Sequence, residues 1–381
     1  MMALREEFET LRGSELLACL PAVEVPCHET SDAACLCRHP VVSVHMMAYN
    51  HEPYIRQAIE GVLMQETDFE YELVIGEDCS DDRTREICFE CQRSHPEKVR
   101  VLWSEQNVYA IGGNFVRIMS KCRGEYVAFC EGDDYWTDPR KLQKQVDAMR
   151  RNPKATLCFT GADIWEMEAD THRPWNASRS YVPGLIPGAV FAQTHLWGRN
   201  PKSPSGDYSF VITATTLFRR SAYEQAVARF ELMRWRLCLG DSQTWLGLAA
   251  LGDVIYLEDS TAVYRRNAGG LTNTAMDKVG RDATLVRLYF GCEVFRSAVR
   301  HLPTFWLNAT AVSILTWQSG KSPAEIRAAY RRFLSTRYAF LFRRLWALPV
   351  RLAFRLGFAA PVLTNNLRRL YNFKPIKLLY R

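Results

Sequence analysis

Apolar and polar positions alternate between two periods along the first half of this chain. Val41–Met47 is a mostly apolar run with β-branched residues and predicts a strand. Tyr54–Met64 then repeats its apolar positions at helical spacing, with Ile55, Ala58, Ile59, Val62 and Leu63 on one face. The alternation recurs: strand Tyr71–Ile75, a helix over 82–93, strand Val99–Trp103, helix Gly113–Lys121, strand Tyr126–Cys130 and helix Asp138–Arg151. Asp138 is the expected N-cap of that last helix, with Pro139 in its first turn. Ala155–Gly161 reads as a further strand. Four strand–helix repeats within so short a span predict a largely parallel α/β sheet.

Beyond it the pattern loosens. Residues 170–209 are rich in Pro, Gly, Ser and aromatics, too long a stretch for a plain connection, and read as a functional loop. His195, Trp197 and Asp207 lie within it, where a lid over a binding site and ordinary loop packing are both open. Regular pattern resumes with a strand in Phe210–Arg219, helices Ser221–Phe230 and Asp241–Leu251, and a strand Val254–Leu257. From about Arg281 the chain reads as helical. The expected division is an arm over 1–40 (a short helix and an extended segment), a domain over 41–275 and a helical region over 276–381.

Charge sharpens this division. The net charge is +6, yet Ser319–Arg381 holds 14 Lys/Arg against one acid, Glu325. The preceding residues hold 34 basic and 41 acidic side chains. A mildly acidic body with a basic tail disfavours nucleic acid as a partner and points the tail alone at an anionic surface. Within the tail, Tyr338, Leu341, Phe342, Leu345, Leu352 and Leu356 share one helical face, opposite Arg343, Arg344, Arg351 and Arg355. No apolar run approaches the roughly 18 residues of a spanning helix, so the tail reads as an amphipathic segment lying on an anionic membrane leaflet. Met1–Thr10 carries three Glu and no apolar core, unlike a secretory signal. The expected location is therefore cytoplasmic, peripheral at the inner face of the cell membrane. The twelve cysteines, Cys88 and Cys91 included, then read as thiols and mostly core residues rather than zinc ligands.

Polar clusters fall after three of the predicted strands, at the carboxyl ends where open α/β sheets bind ligands. They are the loops Ala48-Tyr49-Asn50-His51-Glu52-Pro53, Glu77-Asp78-Cys79-Ser80-Asp81-Asp82, and Glu131-Gly132-Asp133-Asp134-Tyr135-Trp136. Loop polarity and helix capping account for Asp81 and Asp82. They do not account for three carboxylates within four residues, which repel one another unless a cation compensates them. Hard oxygen ligands of this kind suit magnesium or manganese bridged to phosphates. Neither G-x-G-x-x-G after the first strand nor G-x-x-x-x-G-K-[ST] occurs, which disfavours a Rossmann dehydrogenase and a P-loop ATPase.

Taken together, Val41–Met64, Glu77–Thr84 and Gly124–Ala148 resemble the family 2 glycosyltransferases of the GT-A fold, inverting bacterial enzymes of cell-surface polysaccharide synthesis. The resemblance covers about residues 40–270. It implies a nucleotide-diphosphate sugar donor, a glycan or lipid-linked acceptor, and a divalent metal, manganese or magnesium. It places Tyr49 and Glu52 at the nucleotide and Asp78 at the base ring. Glu131, Asp133 and Asp134 would take the D-x-D-D position as metal ligands, with Asp133 also facing the donor; Glu131 departs from the usual Asp. The family's E-D pair becomes Gly240-Asp241, so Asp241 is the implied catalytic base, although an N-cap role suits the same residue. Tyr264-Arg265-Arg266-Asn267 resembles the Y-R-x-H stretch near the diphosphate, which assigns Arg265 and Arg266 to the donor; Asn267 stands where the family has His. A nucleotidyltransferase, or a GT-A-like scaffold without chemistry, is the competing expectation.

Overall fold

The computed structural model describes residues 26–108, 113–175, 181–197, 211–230, 240–266 and Phe290. Apart from Phe290 they lie in one compact unit. The helical region and basic tail expected over 276–381 fall outside the described residues save Phe290, as do Trp197's side chain, Asp207 and Asn267.

In chain order the elements are β1 (His28–Thr30), β2 (Val42–Ala48), α1 (Ile55–Leu63), β3 (Tyr71–Glu77), α2 (Thr84–Ser94), β4 (Val99–Trp103), α3 (Gly113–Lys121), β5 (Tyr126–Phe129) and β6 (Tyr135–Trp136). Then come α4 (Lys141–Arg151), β7 (Ala155–Glu166), β8 (Thr171–Pro174), β9 (Gly184–Ile186), α5 (Gly188–Trp197), β10 (Thr216–Arg219), α6 (Arg220–Phe230), α7 (Gly240–Ala249) and β11 (Asp253–Arg266). The described strands form one sheet of order β1-β4-β3-β2-β5-β10-β7-β11-β6, with β8 on β7 and β9 on β11. Pairs β2/β3, β2/β5, β3/β4 and β7/β11 are parallel, while β10 runs antiparallel between β5 and β7. The mostly parallel α/β sheet expected from the alternation is thus present.

Its central strands are buried on both faces. All seven residues of β3 and all four of β5 are buried, the charged Glu72 and Glu77 of β3 among them, as strands of a sheet covered on both faces are. Helices α1 and α3 supply the cover, burying Ile55, Ala58, Ile59 and Val62, and Ile118 and Met119. Cys88 and Cys91 are buried on one face of α2 as core thiols.

Four expectations need correction. Helix α4 begins at Lys141, with Arg140 at its N-cap and no side-chain cap. Asp138 instead accepts the Arg140 N–H at 2.8 Å and the Lys144 ammonium at 2.8 Å, so it turns the chain ahead of the helix. The stretch 170–209 contains β8, β9 and α5, because hydrogen bonding to β7 and β11 organises segments with little strand character of their own. Strand β11 runs to Arg266 rather than stopping at Leu257, its register on β7 shifting between Leu257 and Val263. Finally, Tyr135–Trp136 is a short strand paired with Ala262 and Val263 rather than loop. These last two changes set the geometry of the site.

Candidate functional site

The three polar clusters lie at the carboxyl ends of β2, β3 and β5, as the strand pattern requires. The first two are laced together. Asn50 N–H donates to Ser80 Oγ (3.0 Å), His51 N–H to Thr84 Oγ1 (2.8 Å) and Glu52 N–H to Asp82 Oδ2 (3.0 Å). In return Asp81 N–H donates to Asn50 Oδ1 (2.9 Å) and Arg83 N–H to Glu52 Oε2 (3.1 Å). Asp82 Oδ1 also accepts the Thr84 N–H; α2 has Arg83 at its N-cap and no side-chain cap, so Asp82, like Asp138, turns the chain ahead of the helix rather than capping it. Its burial would raise its pKa, but the bonds around Thr84 and Glu52 hold it below the ordinary carboxylate value. Asn50 takes a left-handed conformation (φ 53°), which Asn tolerates, where the chain leaves β2. Beside it Tyr49 is 43% exposed, a large ring open to a planar partner.

Asp78 lies deeper. It is buried, and its Oδ1 accepts the Val108 N–H at 3.0 Å with the Arg117 guanidinium 3.8 Å away. Glu77 beside it is fully buried and takes Ser80 N–H (2.6 Å) and Arg85 Nε (2.5 Å). The turn after β3 is therefore held by charge-assisted bonds that any base-reading role of Asp78 would share.

The acidic cluster presses against β2. Gly132 N–H donates to Met47 O at 2.9 Å, and a Cβ at Gly132 would lie 2.7 Å from His51 Nδ1 and 2.9 Å from Met47 O. Gly132→Ala is expected to force this loop off β2, lowering stability by about 1–3 kcal/mol as over-packed sites do. Denaturant melts of the variant and the parent, run side by side, check this.

Asp134 is the most enclosed of the three acids. It is 2% exposed, and Oδ1 accepts the Arg265 N–H at 2.9 Å. The Arg265 side chain returns to the same loop, donating to Asp133 O at 2.7 Å and to Gln57 on α1. Its guanidinium lies 4.4 Å from the Tyr135 ring centre, 5.3 Å from Tyr54 and 5.7 Å from Trp165. Arg266, one residue on, forms an ion pair with Glu166 at 3.1 Å, shared with Arg173. Adjacent strand residues face opposite ways, so of the two arginines only Arg265 is brought to the acids. The sequence named Arg265 but not its ring of Tyr54, Gln57, Tyr135 and Trp165. Only the i,i+3 spacing of Tyr54 and Gln57 hinted at a shared face.

One arginine does not balance the cluster. Burial and the neighbouring Asp133 raise Glu131 to about 8, with Asp241 contributing. Burial, then Asp133, raises Asp134 well above the ordinary value. Asp241 is thus close enough for its charge to bear on Glu131, although it arrives on α7. It is the second residue of that helix, partly buried, and its Oδ1 accepts the Ser242 N–H at 2.6 Å. Burial raises it to about 6, opposed by that bond. Ser242 Oγ lies 3.3 Å from Nε2 of His195, which is buried on α5 and stacked on Phe191. The helix that replaces part of the expected loop therefore reaches the neighbourhood of Asp241.

The uncompensated acids fit a divalent cation. Among the described residues, no three His, Cys, Asp or Glu side chains are grouped to hold one by themselves. The fit is accordingly to a cation held by one or two carboxylates and completed by phosphate oxygens, the usual magnesium arrangement. Asp133 and Glu131 are partly exposed and placed for this, whereas Asp134 Oδ1 is engaged by Arg265.

Comparison with known proteins agrees with this architecture. The family model for glycosyl transferase family 2 matches residues 43–226. An uncharacterized protein of Mycobacterium tuberculosis is 33% identical over 61% of this chain and 61% of its own length. A putative teichuronic acid biosynthesis glycosyltransferase of Bacillus subtilis, TuaG, is 35% identical over 33% of this chain and 48% of its own. The chain thus spans about three fifths of the first of these relatives and about half of the second. Among solved structures, residues 1–349 of S. aureus TarS in complex with UDP-GlcNAc align with a TM-score of 0.51 at 16% identity. That alignment covers 84% of this chain and 93% of the other, and speaks for the fold. The resemblance drawn from the three motifs is borne out: residues 43–226 match glycosyl transferase family 2, on a GT-A fold.

Proposed function

We propose that the protein transfers a sugar from a nucleotide-diphosphate donor to a hydroxyl of a glycan or lipid-linked acceptor, with inversion, in cell-surface polysaccharide synthesis. The observation that carries this reading is the convergence of two acid sets beyond the carboxyl end of β5. Glu131, Asp133 and Asp134 follow β5, and Asp241 arrives on α7 within electrostatic reach of Glu131. The similarity to a putative teichuronic acid biosynthesis glycosyltransferase supports the polysaccharide context.

In this reading Tyr49 and Glu52 line the nucleotide and Asp78 receives a base N–H. Asp133, with Glu131, would hold manganese or magnesium, and when bound the ion would offset the charge that grows on the departing nucleoside diphosphate. Arg265 fixes the acidic loop from behind, and Asp134 serves as its anchor more than as a ligand. Arg266 sits on the other face with Glu166 and is left without a donor role. Asp241 takes the proton from the acceptor hydroxyl as that oxygen attacks the anomeric carbon. A single displacement inverts that centre. Among the described residues no helix is long and apolar enough to cross a membrane. The basic tail read from the sequence is proposed as the contact with an anionic membrane surface.

The test is a thermal-shift screen of sugar nucleotides with and without manganese, followed by donor hydrolysis. Manganese-dependent stabilisation by one donor class, with slow release of its sugar, is the expected result. Stabilisation without any hydrolysis or transfer would identify a non-catalytic scaffold. The absence of any nucleotide response would remove the donor-site reading.

A further inference from the structure

Residues 26–30 lie outside the span matched by the family model, yet they contact β4 and α3, and Arg117 of α3 reaches Glu77 and Asp78. Strand β1 pairs antiparallel with β4, setting His28 against Trp103 and Thr30 against Val101. From this arm two lines of contact lead to the turn after β3. In the first, Pro26 O accepts Nη1 of Arg117 at 3.3 Å. Arg117 is 3% exposed, and its Nη2 donates to Glu77 O (2.8 Å) and Asn114 Oδ1 (2.7 Å) and lies 3.8 Å from Asp78 Oδ1. In the second, Trp103 Nε1 donates to Thr30 Oγ1 at 3.1 Å, and the His28 ring lies 4.6 Å from that of Trp103. Arg85 lies 5.1 Å from the Trp103 ring and donates to Glu77 Oε2 (2.5 Å) and Ser104 O (2.6 Å). Glu29 adds an ion pair with Arg100 at 2.8 Å, anchoring the arm to β4.

We infer that residues 26–30 form a strap that positions Asp78 and Glu77 through Arg117 and Trp103, and so sets nucleotide affinity; this rests on the donor-site reading above. The physical reason is the cost of a misplaced buried charge. Asp78 reads a base N–H only if its carboxylate is held still, and its bonds run to Val108 N–H and Arg117. Arg117 in turn has a backbone acceptor from the arm on one amino group and Glu77 O and Asn114 on the other. The strap also covers the β4 edge. A simple edge cover would lower global stability without singling out the Asp78 turn, and the experiment separates the two.

The full-length protein is compared with His28→Ala/Thr30→Val, His28→Tyr, Arg117→Met and the combination of His28→Ala/Thr30→Val with Arg117→Met. The probe is whichever of UDP, GDP or dTDP binds the unaltered protein with manganese. The arm variant is expected to bind it roughly fivefold to tenfold more weakly, and the combined variant no more weakly than Arg117→Met alone, as coupling between neighbours requires. Hydrogen exchange at the Val108 amide should quicken in the arm variant while the denaturant midpoint moves little; His28→Tyr, which keeps a ring on Trp103, should match the unaltered protein in both exchange and nucleotide affinity. Unchanged exchange at Val108, or faster exchange with unchanged nucleotide affinity, would overturn the strap. If the unaltered protein binds none of the three nucleotides, the donor-site reading fails instead, and exchange at Val108 alone decides the inference.

Discussion

Asp241→Asn is expected to lower the rate of transfer by about 10²–10⁴-fold, the contribution of a positioned general base, while leaving donor affinity unchanged. The amide has nearly the shape of the carboxylate and keeps an oxygen to accept the Ser242 N–H, so the start of α7 is preserved. What it lacks is the ability to take a proton. The pH profile gives an independent check. Burial raises Asp241 to about 6, so the active, ionised form is lost as the pH falls through that value. The rate should drop on the acid side of about 6 and level off above it, and the residual rate of Asp241→Asn should lack that limb. Stability moves oppositely. A raised carboxylate pKa means the folded state holds its proton where the unfolded chain has released it, so stability declines as the pH rises from about 4 to about 6. At pH 7 the Asn variant should therefore melt no lower than the parent, which separates lost chemistry from lost folding. Full turnover in Asp241→Asn would remove this residue from the mechanism.

Asp133→Ala is expected to lower manganese-dependent nucleotide affinity by about 100-fold, since even outer-shell partners of metal ligands carry 10–100-fold. The remaining affinity should no longer respond to manganese or to a chelator. Asp134→Ala should behave differently: it removes the acceptor of a buried backbone N–H and a partner of Arg265, so it should lower the melting temperature as well as the affinity. A pair of calorimetric titrations, with manganese and with EDTA, checks both variants. Equal manganese responses in Asp133→Ala and the parent would sink the metal assignment.

The contrast between Asp133 and Asp134 shows where sequence reasoning stops. Three clustered acids at a strand end were legible as a candidate cation site, because repulsion among them is a property of their spacing. Which acid faces the ligand was not legible, because burial of Asp134 depends on Arg265, 131 positions away on β11. Arg265 and Arg266 are equivalent in the sequence and opposite in the fold. The strand that separates them extends past its own apolar run, carried by its pairing with β7. Arg117 carried no signal at all, since an arginine in an amphipathic helix ordinarily faces water.

Local pattern determined the core of this protein. Apolar runs that alternate with helical spacing dictate β2 to β5 and the helices α1 to α4, because each must bury one face and the order allows a parallel sheet. The same pattern placed the three polar clusters at the strand ends. Tertiary structure alone decided the rest: the pairing of β6, β8 and β9, the place of α5 beside Asp241, the reach of Asp241 to Glu131, and the strap of residues 26–30. Each of these depends on a partner distant in the chain, whose bonds outweigh the weak preferences of the local sequence.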